Sequence, residues 1–284
     1  MANMPKDDIR FLRKLHDDSA LFAYKEHSIA LKNANAFEMA IHIHANAELL
    51  IVTSGRIHLF KSNKGSETIN AGEAALLFPF EPHGYSREQN TEYFRINFST
   101  FLAKSFFKAN ENKIGERAVF VPNAEDTNPF LKKLQNKEHP TLYKVKGFVY
   151  SVLSDYLSQI ALTKKNSDDQ LLNRVIYYID EHKREQISLG EVANAIGYNE
   201  KYLSRFINKA SGLSFTTLLA TLRMDDARTM LVETDKTMLE IAMDCGFGSE
   251  RTFYRYFNAL AGMSPKSYRK QNIHPAKVLD DVLI

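Results

Sequence analysis

TMLEIAMDCGFGSERTFYRYFNALAGMSP, residues 237–265, decides how this chain is read. Thr237 and Glu240 stand in the S/T-x-x-E spacing of a capping box, in which hydroxyl and carboxylate each accept from an orphan amide at a helix start. The short helix that follows, apolar at Ile241, Ala242 and Cys245, stops at Gly246, where a left-handed backbone costs little. Ser249 caps a second helix whose Phe253, Tyr256, Phe257 and Leu260 recur at i, i+3, i+4 and i+7, and Gly262 closes it. Two short helices around a tight glycine-containing turn make a helix-turn-helix. Away from the aromatic stripe, Arg251, Arg255 and Asn258 share one side of the second helix. Their side chains match guanine and adenine edges in a major groove. On a single helix, the simplest account of such a face is solvation.

A repeat changes that account. Residues 188–214, SLGEVANAIGYNEKYLSRFINKASGLS, follow the same grammar. Ser188 and Glu191 form a capping box, Gly197 ends the first helix, Asn199 caps the second and Gly212 closes it. The offset is 49 up to the turn (188 to 237) and 50 after it (199 to 249), because Gly248 is an extra turn residue. Lys201, Arg205 and Asn208 then land where Arg251, Arg255 and Asn258 do. Two copies of one outward face are hard to explain as chance solvation.

Together with Arg223, Ala227 and Leu231 between the repeats, IAMDCGF (241–247), the pair Phe253 and Phe257, GMSP (262–265), Tyr268 and Arg269 resemble the DNA-binding domain of the arabinose-regulator (AraC/XylS) family of bacterial transcription factors. The likeness covers roughly residues 170–272. Its one departure is Ile207, where the family pattern expects a bulkier aromatic. It implies two helix-turn-helix units joined by one long helix, placing both second helices in successive major grooves of promoter DNA.

With 284 residues and 32.5 kDa, the chain has room for two ordinary domains. A net charge of +3 alone would not point to nucleic acid, but 249–270 sets Arg251, Arg255, Lys266, Arg269 and Lys270 against Glu250 alone, and charge facing the duplex is what phosphate contacts use. The single cysteine, Cys245, excludes an intrachain disulfide and any cysteine-rich zinc finger. Its apolar setting reads as an inert core thiol. No apolar run approaches the roughly 20 residues that span a bilayer, and the charged N-terminus lacks a signal core, so the expectation is a cytoplasmic protein with no membrane partner.

After a weakly patterned lead-in with one short strand near 21–24, the period becomes two. FEMAIHIH, ELLIVTSGRIHLF, ETINAGEAALLFPF and YFRINFS read as short strands of an antiparallel barrel or sandwich. His42, His44, Glu48 and Gly55 (H-x-H-x3-E-x6-G), then Gly72, Pro79 and His83, look like the two motifs of the cupin jelly roll. Imidazole and carboxylate suit Fe, Mn, Ni or Zn, and in cupin enzymes the resemblance maps metal ligation onto His42, His44, Glu48 and His83. The sensing domains of AraC-type regulators often carry the same pattern without metal. Here PFEPH (79–83) replaces the P-x-G-x-x-H turn, which favours a metal-free pocket and leaves metal ligation and purely structural histidines as the other readings. Residues 126–166 turn helical, and Val145, Val149, Val152, Tyr156 and Ile160, flanked by Phe148, Leu153 and Leu157, make an apolar stripe needing a partner, either the barrel or a second chain. LTKKNSDDQ (162–170) reads as a polar linker. A helix from Gln170 to about His182 and a long one from Ser214 complete the helical part.

The expected fold is therefore α+β and multidomain. A cupin-like barrel with flanking helices (1–163) senses an effector and dimerises, a linker (164–170) follows, an all-α double helix-turn-helix domain occupies 171–273, and 274–284 is a tail. No catalytic residue, cofactor or metal is expected. Lys201, Tyr202, Arg205, Asn208, Arg251, Thr252, Arg255 and Asn258 are the candidates for base contacts; Ser188, Lys209, Thr237, Lys266 and Arg269 for phosphate. His42, His44, Glu48, His83, Tyr85 and Arg95, with Asn97 beside them, are the candidate effector groups in the barrel. The expected partners are double-stranded promoter DNA, a second copy of the chain and a small-molecule effector; the resemblance makes a sugar plausible, but no residue names one. The rival readings are a metal-dependent cupin enzyme fused to a DNA-binding domain, and a regulator whose barrel only dimerises.

Overall fold

The computed structural model describes residues 21–27, 37–61, 65–136 and 140–272. The chain divides into two compact units, the first running to Gln170 and the second from Leu171, with the short segment His42–His44 grouped with the second. The expected arm before residue 21 and the tail at 274–284 lie outside the described residues.

The first unit is a sheet domain. Its strands are β1 (Leu21–His27), β2 (Phe37–His42), β3 (Ala47–Ser54), β4 (Arg56–Lys61), β5 (Gly65–Asn70), β6 (Ala74–Leu77), β7 (His83–Arg87), β8 (Glu92–Phe98), β9 (Lys113–Gly115), β10 (Val119–Phe120) and β11 (Leu162–Lys164). One sheet has the order β1-β8-β3-β6-β10 and a second β2-β7-β4-β5, while β9 pairs with β11. Leu50, Val52, Ala75, Leu77 and Tyr93 from the first sheet meet Ile57, Leu59, Ile69 and Tyr85 from the second, so the inner faces close on one another.

The five-stranded sheet is covered on its other face as well. Leu49, Ile51, Phe94, Ile96 and Phe98, which alternate with the inward residues, pack on α2 (Ala124–Gln135) and α3 (Leu142–Gln159) through Phe130, Leu131, Val145, Val149, Val152 and Tyr156. A strand buried on both sides reads as a continuous apolar run, and ELLIV in β3 is such a run. The α3 stripe expected to need a partner thus finds it in the barrel of its own chain; of the flanking residues only Leu157 stays exposed.

Two sequence expectations change, and one element appears that the sequence reading did not mention. A 3-10 turn at Thr100–Ala103 leads into α1 (Lys104–Ala109), which carries no periodic signal of its own. The helical stretch 126–166 breaks into α2 and α3. The polar segment 162–170 is not a free linker: Leu162–Lys164 pair with Lys113–Gly115, Lys165 Nζ donates to the Glu111 carbonyl, and α4 (Ser167–His182) begins well before Gln170. Its order comes from backbone pairing and caps, which leave no hydrophobic pattern.

The second unit is helical. After α4 come α5 (Leu189–Ile196), α6 (Glu200–Ser211), α7 (Phe215–Glu233), α8 (Met238–Asp244), α9 (Glu250–Ala261) and α10 (Pro265–Asn272). Ser214 caps α7, whose residues 218–224 are all buried, so it is a central rather than an amphipathic surface helix. Ala220, Met224, Ala227 and Leu231 of α7 share a core with Ile241, Cys245, Phe253 and Phe257.

Candidate nucleic-acid interface and barrel pocket

Each helix-turn-helix is set by its caps. Ser188 accepts from the Glu191 amide while Glu191 Oε2 accepts from the Ser188 amide at 2.6 Å; Thr237 and Glu240 repeat the box with 2.7 Å. The hydrogen bonds to serine and threonine hold both carboxyls below their ordinary range. Asn199 accepts from the Lys201 and Tyr202 amides to start α6, and Ser249 accepts from Thr252 to start α9. Gly197, Gly212 and Gly262 adopt the left-handed conformation expected of them, and the turn of the second unit uses Gly246 and Gly248 in the same way.

These starts fix which side of α6 and α9 is buried. Leu203, Phe206 and Ile207 of α6, and Phe253 and Phe257 of α9, face the core. Ile207, which stands where the family pattern expects an aromatic, is fully buried in that core. The opposite faces carry Lys201, Tyr202, Arg205 and Asn208 on α6 and Arg251, Arg255 and Asn258 on α9, all exposed. Arg205 rests its Nε on the Lys201 carbonyl at 3.3 Å, and the Arg255 guanidinium lies 4.3 Å from the Tyr256 ring centre. Thr252 differs from its neighbours: it is half-buried and accepts from the Ser249 hydroxyl at 2.9 Å.

The residues expected near phosphate separate into two kinds. Lys209 and Lys266 are exposed at helix ends. Ser188 and Thr237 give their hydroxyls to the capping boxes, at 2.7 and 2.8 Å from the carboxylates. Arg269 donates through Nε to the Leu231 carbonyl and through Nη2 to the Thr234 carbonyl, which closes the end of α7.

One short loop ties the two helix-turn-helix units together, and sequence reading missed it. The Arg223 side chain, 8% exposed, donates to the Lys183 carbonyl at 2.6 Å and the Glu185 carbonyl at 2.7 Å. Gln186 donates to the Gly246 carbonyl at 2.9 Å. A Cβ on Gly246 would lie 2.6 Å from the Lys183 oxygen, so glycine there serves close approach as well as its φ of +81°. The signal was present in Arg223 and Gly246 of the family pattern, but the loop that uses them carries no motif.

In the barrel, β3 points Glu48, Leu50 and Val52 inward, and β8 sets Asn97, Arg95 and Tyr93 opposite them. The interior is thus apolar at one end and polar at the other. Tyr85 belongs mainly to the apolar end, edge-on to Tyr93, with its hydroxyl 3.4 Å from Arg95 Nη1. At the polar end His42, His44, Glu48 and His83 bring one ligand atom each to within 4.8 Å of one another. His83 and Glu48 are wholly buried, with Nε2 3.5 Å from Oε1.

The altered PFEPH turn still delivers His83. Phe80 adopts φ +62°, the left-handed geometry that glycine takes more easily, and the turn is held by the Phe78 amide donating to Glu81 Oε2 at 3.1 Å and the Glu81 amide donating to the Phe78 carbonyl at 3.2 Å. Glu81 also stands 3.5 Å from Lys61, which pairs with Glu67 at 3.0 Å in a nearly buried triad that sequence patterning did not single out.

Residues 29–134 match the family model of the AraC-like ligand-binding domain, and residues 192–271 that of a helix-turn-helix domain. The chain belongs to the AraC family. Over 251 residues this AraC-type chain is 23% identical to the melibiose operon regulatory protein of Escherichia coli (strain K12), covering 81% of the chain and 83% of that protein. An uncharacterized HTH-type transcriptional regulator of Staphylococcus aureus (strain MSSA476) is 35% identical over 102 residues, 36% of this chain; the match spans only 14% of that regulator's length. The fold is similar to that of ToxT from Vibrio cholerae, with a TM-score of 0.64 at 12% identity, covering 91% of this chain and all of that one.

Proposed function

We propose that this AraC-type chain is a sequence-specific, effector-responsive transcriptional regulator of the cytoplasm, with no enzymatic activity of its own. The observation that carries the reading is the doubled outward face: Lys201, Tyr202, Arg205 and Asn208 on α6, and Arg251, Arg255 and Asn258 on α9, presented by matching caps. Arginine and asparagine supply base-edge contacts, and Lys209 and Lys266 supply phosphate contacts that set affinity and salt dependence. Thr252 contributes a near-base contact from the start of α9. Ser188, Thr237 and Arg269 hold the helices that make these contacts and lie at the duplex backbone. Two such helices on one DNA face read boxes about ten base pairs apart, roughly 34 Å. Fluorescence anisotropy on a promoter fragment and on scrambled boxes tests this; equal affinity for both would overturn it.

The effector enters the polar end of the barrel, where His42, His44, Glu48, His83, Arg95 and Asn97 face the interior and Tyr85 bounds the apolar end. A regulator named for the melibiose operon supports a sugar, and ToxT has been crystallised with an unsaturated fatty acid. A thermal-shift panel containing both classes discriminates between them, and a barrel that responds to neither is a dimerisation module alone. Dimerisation uses α3: Tyr143, Gly147, Tyr150, Ser154 and Leu157 are exposed at alternating spacings of four and three, a seam in which large residues of one copy meet small ones of another.

A further inference from the structure

We propose that Tyr198 joins Tyr202 as a base-reading group of the first helix-turn-helix unit. Their stacked rings form an apolar edge that reads thymine C5-methyl groups in that unit's box, a preference weaker in the second unit. The proposal rests on α6 acting as a recognition helix, and its test separates the two readings.

The asymmetry lies in the repeat itself. The Tyr198 amide donates to the Ala193 carbonyl at 2.9 Å and the Phe247 amide to the Ala242 carbonyl at 2.8 Å, so each residue closes the same turn after its first helix. From these matching backbone positions the side chains part. Phe247 is 4% exposed, 5.2 Å from the Phe253 ring centre, with the Arg223 guanidinium 5.8 Å from its own. Tyr198 is 37% exposed, its ring 5.4 Å from that of Tyr202 at an interplanar angle of 13°. Tyr202 in turn stands where the second unit has Thr252, whose hydroxyl is engaged with Ser249. Packing alone would bury the Tyr198 ring as it buries that of Phe247.

The pair is also held in place. Tyr202 stacks on Phe206 at 6.2 Å and 15°, and Phe206 belongs to the buried side of α6. A column of three near-parallel rings therefore runs from the core out to the turn. Side chains ordered in advance lose little conformational entropy on meeting a partner.

The outer end of this column lies where bases are read. Tyr198 precedes the Asn199 cap, and Tyr202 lies in the first turn of α6 beside Lys201 and Arg205. The N-terminal residues of a recognition helix are those that contact base edges. On major-groove edges, amino groups, carbonyls and ring nitrogens take polar partners, and the thymine methyl is the apolar group. A ring set against cytosine would instead cover an amino donor without satisfying it.

The test selects a duplex from a randomised library with the full chain and measures its binding by anisotropy. The box at which Arg205→Ala relaxes sequence preference belongs to the first unit; if it relaxes neither box, the first unit does not read bases and the proposal falls. Replacing the thymines of that box by deoxyuridine removes the methyls and leaves base pairing intact. Affinity should fall about fourfold for each contacted methyl, and less for the same exchange in the other box. In the double variant Tyr198→Ala, Tyr202→Ala the exchange should have no effect, while Tyr198→Phe and Tyr202→Phe, which keep the rings, should retain the response. Melting curves identify a double variant that fails to fold, and each single alanine variant then enters the same comparison, where the exchange should cost less than in the parent chain. A first-unit box without thymine, an exchange that costs nothing there or costs as much in the other box, or a loss that the alanine variants show in full overturns the proposal and leaves the column as packing. A response abolished in the phenylalanine variants overturns it in favour of a hydroxyl contact. In those cases selective binding of the duplex persists and the regulator reading stands. If no duplex is selected over the random pool, that reading falls and the proposal with it.

Discussion

Arg255 and Lys266 are both exposed cations in the second helix-turn-helix region, yet they should fail differently when removed. Arg255 projects from the middle of α9 beside Asn258, on the face that would enter a groove, whereas Lys266 sits in the first turn of α10. Arg255→Ala should cost about 1–3 kcal/mol on the cognate box and little on scrambled DNA. Lys266→Ala should weaken all sequences alike and lower the salt slope by about one. Anisotropy titrations at several salt concentrations read both, and a uniform loss for Arg255→Ala would move it to the phosphate group. Gly246 is a packing position instead. Alanine there needs a strained φ and meets the Lys183 and Arg184 carbonyls at 2.6 and 2.8 Å, so Gly246→Ala should destabilise the helical unit by about 1–3 kcal/mol in urea melts. Cys245 beside it is a core thiol, pushed up to about 12 mainly by burial, and should not react with thiol reagents in the folded chain.

At the scale of elements, Glu67 of β5 joins two parts of the barrel that share no long ladder. It accepts from the Ala118 and Val119 amides and pairs with Lys61. Burial pushes its carboxyl up, but the Ala118 amide, the Lys61 ammonium and the Val119 amide outweigh it and hold the group below its ordinary value of 4.5. A depressed folded value means that the stabilisation is complete above 4.5 and is lost as pH falls through the folded value. Chemical denaturation should therefore show the barrel weakening with acid below about 4.5, and Glu67→Gln should flatten that dependence. Glu67→Ala, which strands Lys61 and two amides, should cost about 2–4 kcal/mol. On α3, Tyr150→Lys should raise the dimer dissociation constant at least about tenfold in sedimentation without lowering the melting temperature, since the seam lies outside the core. The caps and glycines of the helical unit were legible residue by residue, because capping boxes and left-handed glycines are local chemistry. The Glu67–Lys61–Glu81 triad, the β9–β11 pair and the Arg223 carbonyl contacts were not, because each joins residues far apart in the chain and leaves no period behind. The α3 stripe was legible as apolar, but its owner was not: sequence alone does not say which surface covers a helix.

On the scale of the whole molecule, the two units meet different demands. The sheet domain buries its five-stranded sheet on both faces and keeps one polar end, where substitutions such as Glu48→Gln test the proposed effector site without touching the apolar core. The helical domain works as a spacer: α7 has 19 residues and is about 28 Å long. Inserting one residue into it would turn α8 and α9 by about 100° relative to α5 and α6. Such a variant should fold but lose affinity for paired boxes, keeping the weaker binding of a single box; unchanged affinity would show that the two units read DNA independently.

The contacts of Arg223 and Gly246 with residues 183–186 also bear on where the gene can be cut. A fragment beginning at residue 192, where the helix-turn-helix match starts, would contain both recognition helices and still be missing the strap that sets their spacing, along with the Ser188 cap. One beginning at Ser167 keeps α4, the strap and both caps, and is the shortest piece in which the pair should behave as a single folding unit.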